Sequence, residues 1–448
     1  MKIAHLTPGT GSFYCGSCLR DHTLVLALRA LGHDVWMVPM YLPFVLEEHA
    51  PELEQRVWMG GINSYLQNRS QWFARLPAFL RRWLDSPSLL RWASSKGDLT
   101  DIAAHCEMTL SMLSGENGRL VLEVDELVEG LLSERPDVVC LSNILMIGVV
   151  RRLKSRLDRP IVCSLQGEVP FVKLMPEPWR SKAIALIAER AQEVDAFVAV
   201  SRSYADCSID AFQLPPDRVQ VVYNGIDLEP FRGLEARADS PALSSDARRP
   251  PAIGFLARMC RDKGIHTLVD AFVLLREQGR VPGLKLKAAG VVLKADRPLL
   301  RELERKLISR GLRGDVELLP NVSRERKVEV LRSIDVLSVP ATYGESFGLY
   351  LLEAWALGVP CVEPRHGAFP ELLEITGGGR LCEPDDPRSL ADELEKLLLD
   401  PEAARRLGAH ARSIVEDRFT SREMARGFVG VLQSLRSAPP VSVLSPRS

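Results

Sequence analysis

The chain has 448 residues, a formal net charge of −1 and 26% charged residues. At about 100 to 200 residues per domain this length allows two or three domains, and the near-neutral charge excludes the basic surface of a nucleic-acid-binding protein. No stretch approaches the roughly 18 apolar residues of a membrane span, and the start MKIAHLTPGTGS lacks a signal-peptide core. We therefore expect a cytoplasmic protein of two domains.

The first half of the chain alternates short β-rich runs with longer helical patterns. The runs, in chain order, are KIAHL, DVWMVP, DVVCL, PIVCSL, DAFVAV and RVQVV. This alternation is typical of a parallel sheet covered by helices. It predicts a Rossmann-like first domain over residues 1–232.

A Cys-x-x-Cys pair follows the first predicted strand, at Cys15 and Cys18. Such a pair suits a redox site or half of a zinc site, and the alternative is a plain loop. A second Cys-x-x-Cys or a His-x3-5-His, which a structural zinc site would need, does not occur in the sequence. We therefore favour the loop and expect no metal or other cofactor.

A long insertion, about 44–118, interrupts the first predicted domain and contains Trp58, Trp72, Trp83 and Trp92. Its segment 72–93 interleaves arginines with aromatic and aliphatic residues. This pattern suits a peripheral contact with the inner membrane face, a lid over an acceptor, or a helical cap packed on its own domain. The sequence leaves these three interpretations open.

The second half of the chain repeats the alternation after a linker. Residues 233–250 are rich in Pro, Ser, Ala and charge, without apolar periodicity, and predict that linker. The β-rich runs then restart with AIGFL, LKLKAA, DVELL, IDVLSV and PCV, which predict a second Rossmann-like domain over 251–420. Residues 385–436 follow a helical pattern, and the tail 437–448 is predicted to be disordered.

The segment 337–360 carries the chemistry of the second domain. A β-run ends in a small-residue turn and enters a predicted helix at about Ser346, where unpaired backbone N–H groups can receive a diphosphate. Glu353 falls inside this nearly all-apolar helix, so it is expected to be a buried carboxylate that needs strong partners. Those partners are an Arg or backbone group, or the 2′ and 3′ hydroxyls of a ribose.

Glu345 and Glu353, eight positions apart around Ser346, Phe347 and Gly348 and followed by GVP, resemble the double-glutamate motif of the family 4 type retaining glycosyltransferases. The segment ARMCRDKG resembles that family's Arg and Lys pair for the donor diphosphate, here Arg258 and Lys263. The junction VVYNGID is similar as well. The resemblance covers almost the whole chain and implies the GT-B fold, an α/β architecture of two doubly wound domains facing a cleft, with a helix at about 421–436 returning to the first domain.

Two positions depart from the family pattern. Gln166 follows the fourth predicted strand, where the family often has a His, and an amide cannot titrate as a His does. Glu168 is a candidate substitute, with a surface carboxylate in a polar turn as the alternative. In the amino-terminal loop, Gly16 matches one of the family's paired glycines, at which backbone would pass close to the phosphate or the sugar.

The resemblance implies a metal-independent transfer of a sugar, with retention of configuration, from a nucleoside-diphosphate sugar to a glycan, lipid or small-molecule acceptor. Glu345 would contact the donor sugar as the catalytic residue, and Glu353 would hold the ribose. Arg258, Lys263 and the amides of 346–348 would stabilise the leaving diphosphate. Rival hypotheses are a nucleotide-sugar epimerase or sugar phosphorylase on this fold, and a non-catalytic carbohydrate-binding protein. A nicotinamide-dependent dehydrogenase is disfavoured, since Tyr14 breaks the Gly-x-Gly-x-x-Gly pattern.

Overall fold

The structure is a computed structural model that describes residues 1–8, 16–41, 58–59, 102–234 and 249–437. Cys15, most of the predicted insertion, including segment 72–93, most of the predicted linker and nearly all of the tail lie outside these residues. Among the described residues, none of the helices is both long enough and apolar enough to cross a membrane.

The described strands are, in chain order, β1 (Lys2–Thr7), β2 (Asp34–Pro39), β3 (Val138–Leu141), β4 (Ile161–Leu165), β5 (Ala196–Ala199), β6 (Val219–Val221), β7 (Ala252–Leu256), β8 (Lys285–Gly290), β9 (Val316–Pro320), β10 (Val336–Leu337), β11 (Cys361–Pro364) and β12 (Gly379–Cys382). The described α-helices are α1 (Gly16–Ala30), α2 (Ile102–Ser114), α3 (Val121–Glu134), α4 (Val150–Leu157), α5 (Val169–Leu174), α6 (Trp179–Ala191), α7 (Arg202–Phe212), α8 (Ile265–Gln278), α9 (Arg297–Ser309), α10 (Arg324–Arg332), α11 (Leu349–Ala356), α12 (Phe369–Thr376), α13 (Pro387–Leu399), α14 (Pro401–Arg418) and α15 (Ser421–Ser437).

The described chain forms two compact units. The first unit comprises Met1–Val200, Ala205–Val222 and Arg422–Ser448, and the second comprises Ser201–Tyr204 and Tyr223–Ser421. Helix α15, at the predicted position of the return helix, belongs to the first unit. The domain limits 1–232 and 251–420 stay predictions.

The first unit is built on a parallel sheet with the strand order β2-β1-β3-β4-β5-β6. The direction of winding reverses between β1 and β3, which pair from Ile3 with Val138 to Leu6 with Leu141. Side chains of β1, β3 and β4 are almost all buried, as expected for a parallel sheet with helices on both faces. The apolar face of α15, including Phe428 and Leu432, packs into the same core.

The second unit has a parallel sheet in the order β12-β11-β10-β7-β8-β9. Read from β9, this is the 3-2-1-4-5-6 order of the Rossmann fold, and the winding reverses between β7 and β10. Helices α8 and α13 supply much of the core, with Phe272, Leu275 and Leu394 fully or almost fully buried. The predicted doubly wound α/β fold is therefore confirmed in both units.

Two local predictions need correction. Strand β12 was not predicted, because its sequence GRLC begins with the last of three consecutive glycines, Gly377–Gly379, which have low strand propensity, and lacks a run of β-branched side chains. Helix α11 begins at Leu349 rather than at about Ser346, because Gly348 before it has a φ of +92°. A left-handed residue cannot belong to a right-handed helix, so the turn extends to Gly348.

Candidate functional site

Two loops of the second unit meet at the point where the sheet reverses. One follows β7 and ends at Gly264, and the other follows β10 and ends at Gly348. The backbone N–H of Thr342 donates to the carbonyl of Asp262 at 2.9 Å, which joins the two loops. A Cβ on Gly264, whose φ is +72°, would lie 1.7 Å from the carbonyl oxygen of Pro340. Only glycine therefore fits at this close approach.

Lys263 and Glu345 form a direct ion pair between these loops. The ammonium group of Lys263 also lies over the ring of Tyr343, 5.0 Å from the centroid. The Tyr350 hydroxyl donates to the same carboxylate at 3.5 Å. Burial alone would lower the pKa of Lys263, but the negative charge of Glu345, together with Tyr343 and the hydrogen bonds to both residues, outweighs it and raises that pKa above its usual range. Lys263 is thus a fixed cation beside a carboxylate.

The backbone of Glu345 is held by the loop that follows β11. The N–H of Ala368 donates to the carbonyl of Glu345 at 2.9 Å. Gly367 has a φ of +57°, and a Cβ there would lie 2.5 Å from the backbone nitrogen of Glu345. The HGAFPELLE segment, residues 366–374, therefore fixes the position of Glu345.

Glu353 lies on α11 and forms an ion pair with Lys327 of α10. The Lys327 Nζ lies 2.5 Å from Glu353 Oε1. The predicted burial of Glu353 is only partly correct, because 18% of its side chain is exposed and a bound ligand can reach it. The protein partner is a lysine, rather than the predicted Arg or backbone group.

Arg258 follows β7 and makes a two-pronged contact with Asp296. The Arg258 Nε and Nη2 atoms each lie 2.9 Å from a different oxygen of the Asp296 carboxylate. Asp296 is buried and also accepts from the backbone N–H of Leu293 at 2.9 Å. These hydrogen bonds raise the pKa of Arg258 above its usual range. The guanidinium group is therefore held in one orientation and keeps Nη1 for other contacts.

A cavity of about 520 Å³ opens beside Arg258. Its lining includes Arg258, Cys260, Arg261, Asp296, Glu302 and Arg305. Lys263, Glu345 and Glu353 do not line it. Three arginines and three carboxylates, Asp262 among the latter, line this cavity, so its lining has no dominant charge.

The residues between the two glutamates form a buried turn. Ser346 and Phe347 are buried, and the Phe347 ring packs against Phe419 with 6.3 Å between centroids. Gly348 is the left-handed residue before α11, with its added Cβ 3.3 Å from Tyr350. The Phe347 side chain thus contributes packing, and the backbone of this turn is what a ligand could meet.

The three candidates of the first unit have distinct environments. Gln166 directly follows β4, as predicted, and its amide nitrogen donates to Asp21 Oδ1 at 3.0 Å. Glu168 is buried and accepts from the backbone N–H groups of Gln166 and Gly167, each at 3.0 Å to Oε2, so it is not the surface carboxylate of the alternative prediction. Gly16 is exposed, and an added Cβ would meet nothing within 4 Å.

The structure thus brings Lys263 and Glu345 into contact and gives Arg258 and Glu353 partners that the sequence did not reveal. The missed partners are Asp296 and Lys327. Lys327 lies in the charged run RERKVEVLR, whose composition is also typical of a solvated helix. Its contact with Glu353 spans 26 positions, so no local pattern could identify it.

Two protein-family comparisons match separate parts of the chain. Residues 109–230 match the family described as Glycosyltransferase Family 4, and residues 242–414 match Glycosyl transferases group 1. The curated D-inositol 3-phosphate glycosyltransferase of Xylanimonas cellulosilytica is 34% identical over 226 residues, which are 49% of this chain and 52% of that protein. Its counterpart from Saccharomonospora viridis is 31% identical over 252 residues, 55% of this chain and 57% of that protein. The chain spans about half the length of these curated relatives.

Solved structures resemble the chain over nearly its full length. Anabaena HepE in complex with UDP and glucose has a TM-score of 0.67 and 18% identity, and the match covers 97% of this chain and 100% of HepE. Sucrose-phosphate synthase from Thermosynechococcus elongatus has a TM-score of 0.68 and 19% identity, over 98% of this chain and 100% of the synthase. At these identities the likeness establishes the fold. The chain has the GT-B fold, and the parts of it that match, residues 109–230 and 242–414, belong to the family 4 and group 1 glycosyltransferases.

Proposed function

We propose that the protein is a glycosyltransferase that moves a sugar from a nucleoside-diphosphate sugar to a hydroxyl group of an acceptor. The observation that carries this proposal is the Lys263–Glu345 ion pair at the reversal point of the second sheet. Ligands of open parallel sheets bind outside the carboxyl ends of the strands at this point. A cation and a carboxylate in contact there suit a ligand that joins a diphosphate to a sugar.

In this proposal Lys263 and Arg258 bind the diphosphate of the donor. Both are cations at neutral pH, and both are held by carboxylates of the same unit. Fixed cations lower the cost of the charge that develops on the leaving nucleoside diphosphate. The backbone of the turn before α11 adds N–H groups at a helix N-terminus, where an anion is favoured.

In this proposal the two glutamates bind the parts of the donor that carry hydroxyl groups. Glu345, beside Lys263, binds hydroxyls of the transferred sugar and stabilises an oxocarbenium-like transition state. Glu353, eight positions later, accepts from the 2′ and 3′ hydroxyls of the ribose. The transfer retains the configuration of the sugar and needs no metal, as the family resemblance implies.

The comparisons suggest the first substrates to test. HepE has been solved in complexes with UDP and with UDP-glucose, so UDP-sugars are the first donors to test. The curated relatives are named for D-inositol 3-phosphate, so this phosphate is the first acceptor. Glycans and lipid acceptors are the next classes.

The test is a thermal-shift and calorimetry series of the purified protein with UDP, GDP, ADP and NAD. A ligand at 100 times its dissociation constant stabilises the protein by about 2.7 kcal/mol, which is easily measured. We expect one nucleoside diphosphate to stabilise the wild type. Lys263→Ala should weaken its binding about 10- to 100-fold, since a charged hydrogen bond contributes about 1.5 to 3 kcal/mol.

Lys306→Ala is the matched control. Lys306 of α9 is also ion-paired with a carboxylate, Asp270 of α8, but it lies outside the site. Equal loss of nucleotide binding in both variants would contradict the proposed site. Stabilisation by NAD alone, or by none of the four nucleotides, would overturn the proposed function.

Product analysis then separates the rival enzymes. Transfer to an acceptor with release of the nucleoside diphosphate supports a glycosyltransferase. Release of a sugar phosphate when inorganic phosphate is the acceptor indicates a phosphorylase, and a changed sugar still bound to the nucleotide indicates an epimerase. If the protein binds a nucleotide sugar but transfers the sugar to none of the acceptor classes, the remaining hypothesis is a non-catalytic carbohydrate-binding protein.

A further inference from the structure

The first unit contains a buried polar cluster at the carboxyl edge of its own sheet. We call it the Asp21 cluster, and its members are His5, Thr7, Arg20, Asp21 and Ser142. Each member is at most 2% exposed. The Asp21 carboxylate lies 3.2 Å from Arg20 Nη1 and 3.4 Å from His5 Nε2, and it accepts from the Ser142 hydroxyl. An ionised carboxylate is thus surrounded by donors.

The position of this cluster in the fold points to a ligand. Thr7 is the last residue of β1 and Ser142 directly follows β3, the two strands between which the winding reverses. Ligands of open parallel sheets bind outside this edge. A buried ionic cluster seldom improves stability over apolar residues of similar size, so a role in positioning is a better reason for it.

Gln166 connects the cluster to the surface. Its side-chain Nε2 donates to Asp21 Oδ1 at 3.0 Å and to the carbonyl oxygen of Ser142 at 2.7 Å. A carboxylate and a carbonyl can only accept hydrogen bonds. The amide nitrogen must therefore face them, and the reversed amide would bring its oxygen against two acceptors. Chemistry alone thus fixes the orientation of the Gln166 amide.

We propose that Asp21 is a positioning residue that fixes the Gln166 amide so that its carbonyl oxygen faces the substrate and accepts a hydrogen bond from a substrate hydroxyl. Gln166 is half-buried at the carboxyl edge of the sheet, so a ligand can reach it. This inference rests on the proposed function, because it assigns a partner to a hydroxyl of the sugar or the acceptor. It also assigns Asp21 a role that the sequence did not indicate.

The neighbouring carboxylate, Glu168, has a structural role. Glu168 accepts from the backbone N–H groups of Gln166 and Gly167 and so shapes the turn that carries the amide. An amide cannot exchange a proton with the substrate at neutral pH. At this edge the first unit therefore supplies a hydrogen-bond acceptor of fixed direction, rather than a general acid or base.

The decisive variant is Gln166→Glu, measured over a range of pH. When protonated, the introduced carboxyl can donate its O–H to Asp21 and present its carbonyl oxygen as Gln166 does. When ionised, it faces Asp21 as a like charge and loses that bond. Negative Asp21 and Glu168 raise its pKa above the usual value of about 4.3, while Arg20 and, when protonated, His5 oppose this from α1 and β1. Arg20 already pairs with Asp21, so the net shift is upward.

We expect kcat of Gln166→Glu to approach the wild-type value at acidic pH. Relative to wild type it should fall about tenfold for each pH unit above the raised pKa. Gln166→Leu should lose activity at every pH, about 10- to 100-fold. UDP affinity, which reports the second unit, should be unchanged in both variants. A merely structural role for Gln166 would not produce an acid-limited kcat with constant nucleotide affinity.

Gln192→Glu is the matched control, since Gln192 is exposed in the same unit. A pH profile of Gln166→Glu like that of this control would overturn the inference, as would full activity of Gln166→Leu. Stability against pH gives an independent measurement. The raised pKa should make Gln166→Glu progressively less stable than wild type as pH rises from about 4.3 through that pKa, and a constant difference would overturn the positioning by Asp21.

A different result would overturn the proposed function itself. A wild type that binds no nucleoside diphosphate and transfers no sugar overturns the proposed function, and the substrate role of Gln166 with it. A wild type that binds and transfers, with variants that follow the control, overturns the further inference alone.

Discussion

Asp21 in the first unit and Glu363 in the second are both 0% exposed, yet the pKa values of their carboxyl groups are shifted in opposite directions. Burial alone would raise the pKa of Asp21, but His5, Arg20 and Ser142 lower it below its ordinary value. Glu363 of β11 accepts from the backbone N–H of Val339 at 3.1 Å. Burial first, and then the negative charge of Glu345, raise its pKa well above the usual range.

The contrast shows that the partners of a buried carboxyl group decide its charge. Two sheets with the same kind of reversal point therefore shift the pKa of their buried carboxyl groups in opposite directions. The first unit keeps an anion inside a fixed set of donors, whereas the second favours the protonated form of its fully buried carboxyl and leaves 10% of the Glu345 side chain and 18% of the Glu353 side chain accessible to solvent. A buried anion can orient other groups, and a partly exposed one can exchange its cation for a ligand.

The largest expected effect is that of Asp21→Asn. It removes the charge that pairs with buried Arg20, and breaking a buried pair in this way costs about 3 to 5 kcal/mol. Urea unfolding at pH 7 should show this loss in the free energy of unfolding. Because the folded pKa of Asp21 is lowered, its contribution is present above the unfolded value of about 3.8 and is lost as pH falls through the folded pKa.

The stability difference between wild type and Asp21→Asn should therefore shrink in strong acid. A loss below about 1 kcal/mol at pH 7 would mean that Asp21 is not ionised in the folded protein, and the contrast with Glu363 would disappear.

Glu363→Gln is the matched amide substitution, and its expected sign is opposite. The folded pKa of Glu363 is raised, so the wild type loses stability as pH rises from the unfolded value of about 4.5 through the folded pKa. The variant should be more stable at pH 8, by about 1.4 kcal/mol for each pKa unit covered. Melting temperatures at pH 5, 6.5 and 8 measure this, with the exposed Glu277→Gln of α8 as control.

An amide at position 363 can still accept the hydrogen bond from the Val339 N–H. Its NH2 group needs an acceptor, and so does the O–H of the protonated carboxyl group in the wild type. If wild type and Glu363→Gln show the same slope of stability with pH, then Glu363 is ionised in the fold and the comparison with Asp21 fails.

The sequence could predict the strands that lie in apolar runs, and β2 was predicted with its observed bounds, Asp34–Pro39. Lys263, Glu345 and Glu353 were predicted because they lie in short local motifs that resemble a known family. The Asp21 cluster was missed, because Asp21 contacts Ser142 across 121 positions and Gln166 across 145. In sequence, Arg20 and Asp21 look like an ordinary solvated stretch of helix. Only the packing of β1, β3 and β4 reveals that these charges are buried together.

Glu353 extends the comparison, and Lys327→Met is the next variant in expected size. Lys327 holds one oxygen of Glu353, and its loss frees that carboxylate to turn away from the ribose. We expect UDP affinity to fall about tenfold, or about 1.4 kcal/mol, in calorimetry. Affinity for 2′-deoxy-UDP should fall less, because one of the two hydroxyl contacts is already absent. Equal losses for both ligands would place the effect of Lys327 away from the ribose, and Lys306→Met is the control.

The smallest expected change in UDP affinity is that of Glu345→Gln, and its sign is the most specific to the site. Glu345→Gln keeps the shape of the side chain but removes the charge that Lys263 pairs with, so the ammonium group becomes available to a diphosphate. The pair is mostly buried, with 10% of the Glu345 side chain accessible, and we expect the freed ammonium group to make UDP bind about fivefold, or about 1 kcal/mol, more tightly while sugar transfer is lost. Glu277→Gln should change neither. Weaker UDP binding by Glu345→Gln would mean that the carboxylate helps to hold the nucleotide. Tighter binding with lost transfer would mean that the Lys263–Glu345 pair opens for the ligand, which the fully buried pair of Asp21 and Arg20 cannot do without unfolding its surroundings.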